Sequence, residues 1–93
     1  MTNTTYNGWT NYATWRVNLE LIDDIQDKET FFGISEYTEV YELAKHIEEY
    51  VEECLSSDMP NELTLSYAMA FISDVNYYEI AQHLIEEVTY ENQ

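Results

Sequence analysis

Two stretches of the chain each place a histidine one helical turn from two glutamates. The stretches are Glu42, His46 and Glu49 in one, and Glu79, His83 and Glu86 in the other. Residues three or four positions apart share one face of a helix, so each set could offer carboxylate and imidazole ligands to a metal ion. The di-iron motif of helical bundles, however, places Glu three residues before His, whereas the spacing here is four. We therefore interpret both sets as charged helix surface and predict no metal site.

Other signatures of catalysis are missing from the sequence. It contains no HExxH zinc motif, no CxxC pair, no EF-hand loop and no glycine-rich phosphate loop. The single cysteine, Cys54, falls on an apolar helix face, where a thiol is usually an inert packing residue. It has no partner for an internal disulfide, which favours a reducing compartment. We expect a protein without a cofactor and without enzymatic activity.

The sequence also lacks the features of a secreted or membrane protein. The N-terminal residues show neither the basic region nor the apolar run of a signal peptide. No apolar run approaches the roughly 18 residues that a membrane-spanning helix requires. Anionic lipid headgroups would repel a strongly acidic surface. We therefore expect a cytoplasmic protein with no membrane partner.

The charge of the chain is its most unusual property. Nineteen Asp and Glu oppose three Lys and Arg, which gives a formal net charge of −16 over 93 residues. Solubility alone requires a net charge of roughly 2–8, and the additional charge opposes the compact state by self-repulsion. Direct nucleic-acid binding is excluded as the main activity, because phosphate contacts need basic side chains. The charge predicts a basic partner.

Helical periodicity dominates the chain and predicts one acidic helical domain over residues 1–93. The clearest helix runs from Glu36 to Leu55, with Ser35 as N-cap and residues 56–58, followed by Pro60, at its end. The last helix begins near Asn76, where Asn76 and Glu79 have capping-box spacing, although Asp74 is a rival cap.

Three further segments complete an all-α, bundle-like fold of about four short helices around one core. Residues 61–73, with Pro60 at the first helical position, are apolar nearly all round and predict the most buried helix. Residues 11–25 favour a helix capped by Thr10 or Asn11, although β-branched and aromatic residues leave a strand open. Residues 27–35 form a connector whose Phe31, Phe32 and Ile34 enter the core.

The acidic residues fall on the helix positions that the core does not use. The long helix carries Glu36, Glu39, Glu42, Glu48, Glu49, Glu52 and Glu53, the last helix adds Glu79, Glu86 and Glu87, and Asp23 and Asp24 follow the first helix. Seven carboxylates form a ridge along some 25–30 Å of the long helix at 1.5 Å rise per residue. Such a ridge can imitate the phosphate field of DNA. Among the acids, Tyr37 and Tyr41 would supply contact area.

Two segments of the chain resemble a known group of proteins. Residues 6–15, which contain Gly-Trp-Thr-Asn-Tyr-x-Thr-Trp, resemble the opening of small uncharacterised proteins of phages and mobile elements, and residues 75–84 resemble the closing part of that group. The resemblance implies a phage or mobile-element origin, and a first-helix cap with two Trp that anchor the core. In physical type, the acidic, compact and Tyr-rich chain is similar to DNA-mimic anti-CRISPR and anti-restriction proteins.

We therefore hypothesise a DNA-mimic inhibitor of a host defence complex, active in the cytoplasm of a bacterial host cell. The expected partner is the basic DNA channel of a CRISPR effector or, next, of a restriction enzyme. The alternative is an acidic adaptor or regulatory protein that binds its partner through an aromatic patch around Tyr6, Trp9 and Tyr12. A third possibility is a homodimer that presents a longer acidic ridge.

Overall fold

The computed structural model describes residues 6–58 and 61–91, the last two by their backbone alone. Helix α1 (Tyr12–Val17) runs directly into a π-helical turn (Asn18–Ile22) and is followed by α2 (Lys28–Phe32), α3 (Val40–Asp58), α4 (Glu62–Ile72) and α5 (Tyr77–Glu91). No strand occurs in the described part of the chain. The predicted all-α single domain is confirmed, and the short α2 lies within the segment that was predicted as a connector.

The core lies mainly between α3 and α5, which make the largest contact between any two helices. Each helix contributes one apolar stripe, as its periodicity predicts. The buried members are Leu43, Ile47 and Val51 on α3 and Ile80, Ala81, Leu84 and Val88 on α5, with Ala13, Val17, Ile22, Ile34, Ile72 and Val75 from the other segments. Full burial of one such aliphatic side chain stabilises the fold by about 1.5–3 kcal/mol. This stripe packing holds the outer faces of α3 and α5 in place.

The first helix confirms the helical prediction over the strand. The side chain of Asn11 caps α1 by accepting a hydrogen bond from the backbone N–H of Thr14 at 2.9 Å. The helix widens into the π-helical turn and ends at Ile22, three residues before the predicted end. Asp23 and Asp24 therefore lie in an exposed turn beyond the helix.

The predicted start of the long helix is wrong by four residues. Ser35 does not cap α3; its hydroxyl accepts the N–H of Tyr37 at 3.1 Å, and the hydroxyl of Thr38 accepts the N–H of Ser35 at 2.7 Å. Such local side-chain hydrogen bonds compete with helix formation. They hold residues 35–38 in a turn, so α3 begins at Val40 and Glu36 and Glu39 precede it.

The prediction that residues 61–73 form the most buried helix is also wrong. Ile72 is the buried member of α4, whereas Leu63, Tyr67 and Phe71 are 65%, 71% and 40% exposed. A helix that is apolar on all sides can bury only the face that meets the core, and α3 and α5 already fill that core. Asn61 caps the helix through the N–H of Thr64 at 2.9 Å. Pro60, predicted at the first helical position, lies outside the described residues.

The capping of α5 confirms Asn76, not Asp74, as the N-cap. Its side chain accepts the N–H of Glu79 at 3.0 Å. The reciprocal bond of a capping box is replaced, because the N–H of Asn76 donates to the hydroxyl of Thr14 at 2.8 Å. A long-range hydrogen bond to Thr14 therefore replaces the local hydrogen bond from Asn76 to Glu79 and ties α5 to α1.

The connector prediction holds for two of its three apolar residues. Ile34 is buried and Phe32 packs against the core. Phe31 is exposed, and it meets Phe32 and Tyr50 edge to face at 4.9 and 5.2 Å between ring centroids. The short α2 therefore lies against α3 through an aromatic cluster at the edge of the core.

Candidate functional site

The carboxylates of α3 form two rows and not one ridge. At 3.6 residues per turn, Glu42, Glu49 and Glu53 point within about 40° of one another, and we call them the outer row. Glu48 and Glu52, the inner row, point about 100° away from them. The outer row is exposed and spans about 16 Å. Among the described residues, no basic group lies within ion-pair distance of either row.

Glu48 of the inner row lines a groove next to α5. Tyr41, Ala44, Lys45, Glu48, Tyr77 and Tyr78 line this groove, whose volume is about 350 Å³. The phenol oxygen of Tyr77 is buried and has no hydrogen-bond partner among the described residues. Burial, and then the charges of Glu48 and Glu52, raise the pKa of this phenol. The inner row thus faces an aromatic wall, which leaves the outer row as the carboxylates that point freely into solvent.

The turn before α3 extends the outer row. Tyr37 and Glu39 line a groove of about 450 Å³ together with Glu42 and His46. Tyr37 is 86% exposed, and Glu36 beside it is exposed as well. Although these residues lie outside the helix, the structure still brings the predicted Tyr37 and Glu39 next to Glu42. The outer row and this turn form one acidic surface, which we call the α3 acidic face.

The other predicted acids are placed differently. Glu86 is exposed on α5, whereas Glu87 lies 4.0 Å from the ammonium group of Lys28. Glu79 is half-buried, and both of its carboxylate oxygens accept the backbone N–H of Thr10, at 3.0 and 3.2 Å. Glu79 therefore acts within the fold. Tyr41, at the end of the inner row, is exposed.

The N-terminal signature begins with a tight turn. The backbones of Tyr6 and Trp9 exchange two hydrogen bonds of 2.8 Å, and Asn7 and Gly8 between them have φ of 49° and 87°. Positive φ at both central residues is the geometry that Asn-Gly favours in two-residue hairpin turns. The turn places the Trp9 ring on His83 of α5, with centroids 4.2 Å apart and planes 27° from parallel.

A hydrogen-bonded network joins the rest of the signature to the start of α5. Thr14 is 0% exposed, and its hydroxyl donates to Asn11 at 2.7 Å while accepting the N–H of Asn76. The amide of Asn11 donates to the carbonyl of Asp74 at 2.8 Å. With the bonds from Thr10 to Glu79, this network ties residues 10–14 to the start of α5.

The expected core role of the two tryptophans holds for one of them. Trp9 is partly buried and packs against the core. Trp15 instead meets Tyr6 and Tyr12, at centroid distances of 4.8 and 5.6 Å. The aromatic patch predicted around Tyr6, Trp9 and Tyr12 therefore exposes Tyr6 and Tyr12, whereas Trp9 is turned onto His83 and the core.

A second surface was missed by the sequence reasoning. Leu63, Tyr67 and Phe71 recur every four residues on the outer face of α4, and the ring of Phe71 lies 6.2 Å from that of Tyr12. We call these four residues the α4 patch. An apolar groove of about 260 Å³ adjoins it between α1 and α4, with Arg16 at its edge. The sequence did contain a sign of this surface, namely the second apolar stripe of α4. A helix with two apolar stripes on opposite sides cannot bury both against one core.

Neither metal binding nor membrane insertion is visible in the described part of the chain. No three His, Cys, Asp or Glu side chains there come close enough together to hold a metal ion. No described helix combines the length and the apolar character needed to cross a bilayer. The histidines of the two sets lie in different surroundings. His46 lies beside the outer row, and His83 lies beneath the ring of Trp9.

Comparison with known proteins identifies a family for this chain. The family model described as "Family of unknown function (DUF7249)" matches residues 2–92, and the chain belongs to this family. No curated protein and no solved structure matches the chain.

Proposed function

We propose that this member of the DUF7249 family inhibits a host defence nucleoprotein complex by occupying its DNA-binding channel. The expected target is a CRISPR effector complex first and a restriction enzyme next, in the cytoplasm of a bacterial host and without a cofactor. The observation that carries the proposal is the outer row, in which Glu42, Glu49 and Glu53 are exposed, aligned and without an ion pair among the described residues.

The charge density of α3 is comparable to that of a nucleic-acid strand. The helix carries six acids and one lysine over 19 residues, a net charge of −5 along about 28 Å. One strand of DNA carries about eight charges over that length. The helix therefore reaches more than half of the single-strand density, and Glu36 and Glu39 continue the field beyond its start. A groove lined by Lys and Arg would gain from replacing DNA with this surface.

The contact area around the outer row also suits a protein partner. Tyr37 projects from the turn beside the acids and is exposed. A tyrosine ring adds apolar area and a hydroxyl at low conformational cost, which carboxylates alone do not supply. Steering by the charges would make association fast and sensitive to salt. The α3 acidic face therefore combines long-range attraction with short-range contact.

The test is competition for labelled duplex DNA on purified CRISPR effector complexes and restriction enzymes. We expect the protein to displace target DNA competitively from at least one of them, with affinity that falls as salt rises. The substitutions Glu42→Lys, Glu49→Lys and Glu53→Lys together should abolish displacement. The matched control reverses three acids outside α3, Glu20, Glu62 and Asp74, and should retain it.

Two results would overturn the proposal. Full inhibition by the outer-row variant would show that these carboxylates do not make the contact. Equal loss in both triple variants would show that net charge, and not the α3 acidic face, determines binding. Circular dichroism on each variant verifies that the helices are intact, because substitutions at exposed positions should leave the helical signal unchanged.

A further inference from the structure

We infer that two copies of this chain associate through the α4 patch, in a two-fold dimer that leaves both α3 acidic faces free. The patch consists of Leu63, Tyr67 and Phe71 on α4 and Tyr12 on α1. The inference is independent of the proposed function, since it concerns a different surface and a different partner.

Charge determines which face two copies can share. Each chain carries −16, so contact between acidic surfaces is opposed by repulsion in a desolvated interface. Helix α4 is the exception, because Glu62 at its first position is the one charged residue among its 11. At the edge of the patch, the guanidinium of Arg16 contacts both Glu20 and the Tyr12 hydroxyl, so the carboxylate of Glu20 is neutralised there. The α4 patch is thus where a second copy meets the least repulsion.

The exposed apolar area supplies most of what an interface between two copies needs. At about 200 Å² per aromatic side chain, the exposed fractions of Tyr12, Tyr67 and Phe71 amount to roughly 300 Å². Leu63, 65% exposed, brings the patch to about 400 Å², within the range of the largest apolar patches on monomers, which are often functional. A two-fold contact uses the patch twice. The patch alone therefore supplies about 800 Å², and a rim of neighbouring side chains has to add about 200 Å² for the roughly 1,000 Å² expected of a biological contact.

The spacing along α4 fits a two-fold axis. Leu63 and Phe71 lie at equal distances in sequence on either side of Tyr67. In a two-fold pair of antiparallel α4 helices, Tyr67 meets Tyr67 of the other copy, while Leu63 meets Phe71 in both directions. Antiparallel helices also place opposite ends of their dipoles together. Each side chain of the stripe therefore gains an apolar neighbour.

The test compares two substitutions that change charge identically. Tyr67→Glu places a carboxylate at the two-fold axis, whereas Tyr37→Glu places one at a more exposed position on the α3 acidic face. Sedimentation velocity over a wide range of protein concentration should show a monomer–dimer equilibrium for the wild type and for Tyr37→Glu. Tyr67→Glu should raise the dimer dissociation constant roughly 100-fold, because each substitution acts twice across the axis.

Salt and cross-linking provide independent readouts. Raising salt from about 0.15 M to about 1 M should strengthen the dimer, because it screens the repulsion between two acidic chains. The same change should weaken binding to a basic channel, so failure of one proposal is distinguishable from failure of the other. With Cys54 replaced by Ala, a Tyr67→Cys variant should form a disulfide-linked dimer under mild oxidation, and a Tyr37→Cys variant should not.

Three results would overturn the inference. The first is a wild-type protein that stays monomeric at all concentrations and at high salt. The second is a dimer that Tyr67→Glu and Tyr37→Glu weaken equally. The third is a monomer whose α4 patch is protected from solvent exchange by a different protein, which would assign the patch to a heterologous partner.

Discussion

Replacing Thr14 with Val removes one buried hydroxyl and tests the network that joins α1 to α5. Thr14 is fully buried, and its hydroxyl donates to Asn11 at 2.7 Å and accepts the N–H of Asn76 at 2.8 Å. Valine has nearly the same shape, so the substitution leaves the packing in place while it removes both hydrogen bonds. The N–H of Asn76 then loses its partner in a part-buried position.

The magnitude follows from these contacts. Each lost hydrogen bond costs about 1 kcal/mol net, and an unsatisfied buried N–H adds about 1–2 kcal/mol. We expect Thr14→Val to lower the free energy of unfolding by about 3 kcal/mol, which for a domain of this size lowers Tm by roughly 12–24 °C. Thr14→Ser keeps the hydroxyl and removes one methyl group, which costs about 1 kcal/mol.

Urea unfolding followed by far-UV circular dichroism measures both variants. We expect the order wild type, Ser, Val in decreasing stability, with an unchanged dependence on urea concentration, because the surface exposed on unfolding stays the same. Valine, the most hydrophobic of the three residues, is thus expected to give the least stable protein. A Val variant as stable as the Ser variant would show that the hydroxyl at position 14 fills space and bears no essential hydrogen bonds.

Three further predictions follow from single features of the structure. Tyr77→Phe should raise stability by roughly 1 kcal/mol at neutral pH, because it removes a buried hydroxyl without a hydrogen-bond partner among the described residues. Burial raises the folded-state pKa of that phenol above its unfolded value near 10. The wild-type free energy of unfolding is therefore retained below about pH 10 and falls above it. In urea unfolding, the Phe variant should lose less stability than the wild type as the pH rises above about 10. Gly8→Ala should lower the free energy of unfolding by about 1 kcal/mol in the same assay. Backbone strain is the cause, because φ at Gly8 is +87° and an added Cβ meets no atom within 4 Å. Added salt should raise Tm, because it screens the repulsion among 19 acidic residues, and an unchanged or lower Tm would contradict this.

Periodicity predicted the helices well where one apolar stripe faces one core. The stripes of α3 and α5 emerged as the buried residues, because spacing of three and four residues determines which side chains share a face. Local sequence also narrowed each cap to two candidates, of which the structure selects Asn11 over Thr10 and Asn76 over Asp74. The start of α3 was missed because hydrogen bonds of Ser35 and Thr38 stabilise a turn that propensity alone does not reveal.

The candidate acidic site was predicted only in part. Sequence identified the acids of α3 and the adjacent Tyr37 and Tyr41, because they occupy the non-core positions of an amphipathic helix. It did not distinguish Glu79 from the rest, since the partner of its carboxylate, the N–H of Thr10, lies 69 residues away. It also treated the two rows as one ridge, although their separation follows from helix geometry.

Composition and local spacing by themselves determined the charge, the helical class and the faces of α3 and α5, because each depends on residue identity and on contacts within one or two helical turns. The tertiary structure alone decided which of the two apolar stripes of α4 is covered, which carboxylates are engaged within the fold and how the N-terminal turn reaches α5. These depend on contacts between residues far apart in sequence. Helical period specifies a face, but only the packing of the other helices specifies what that face meets.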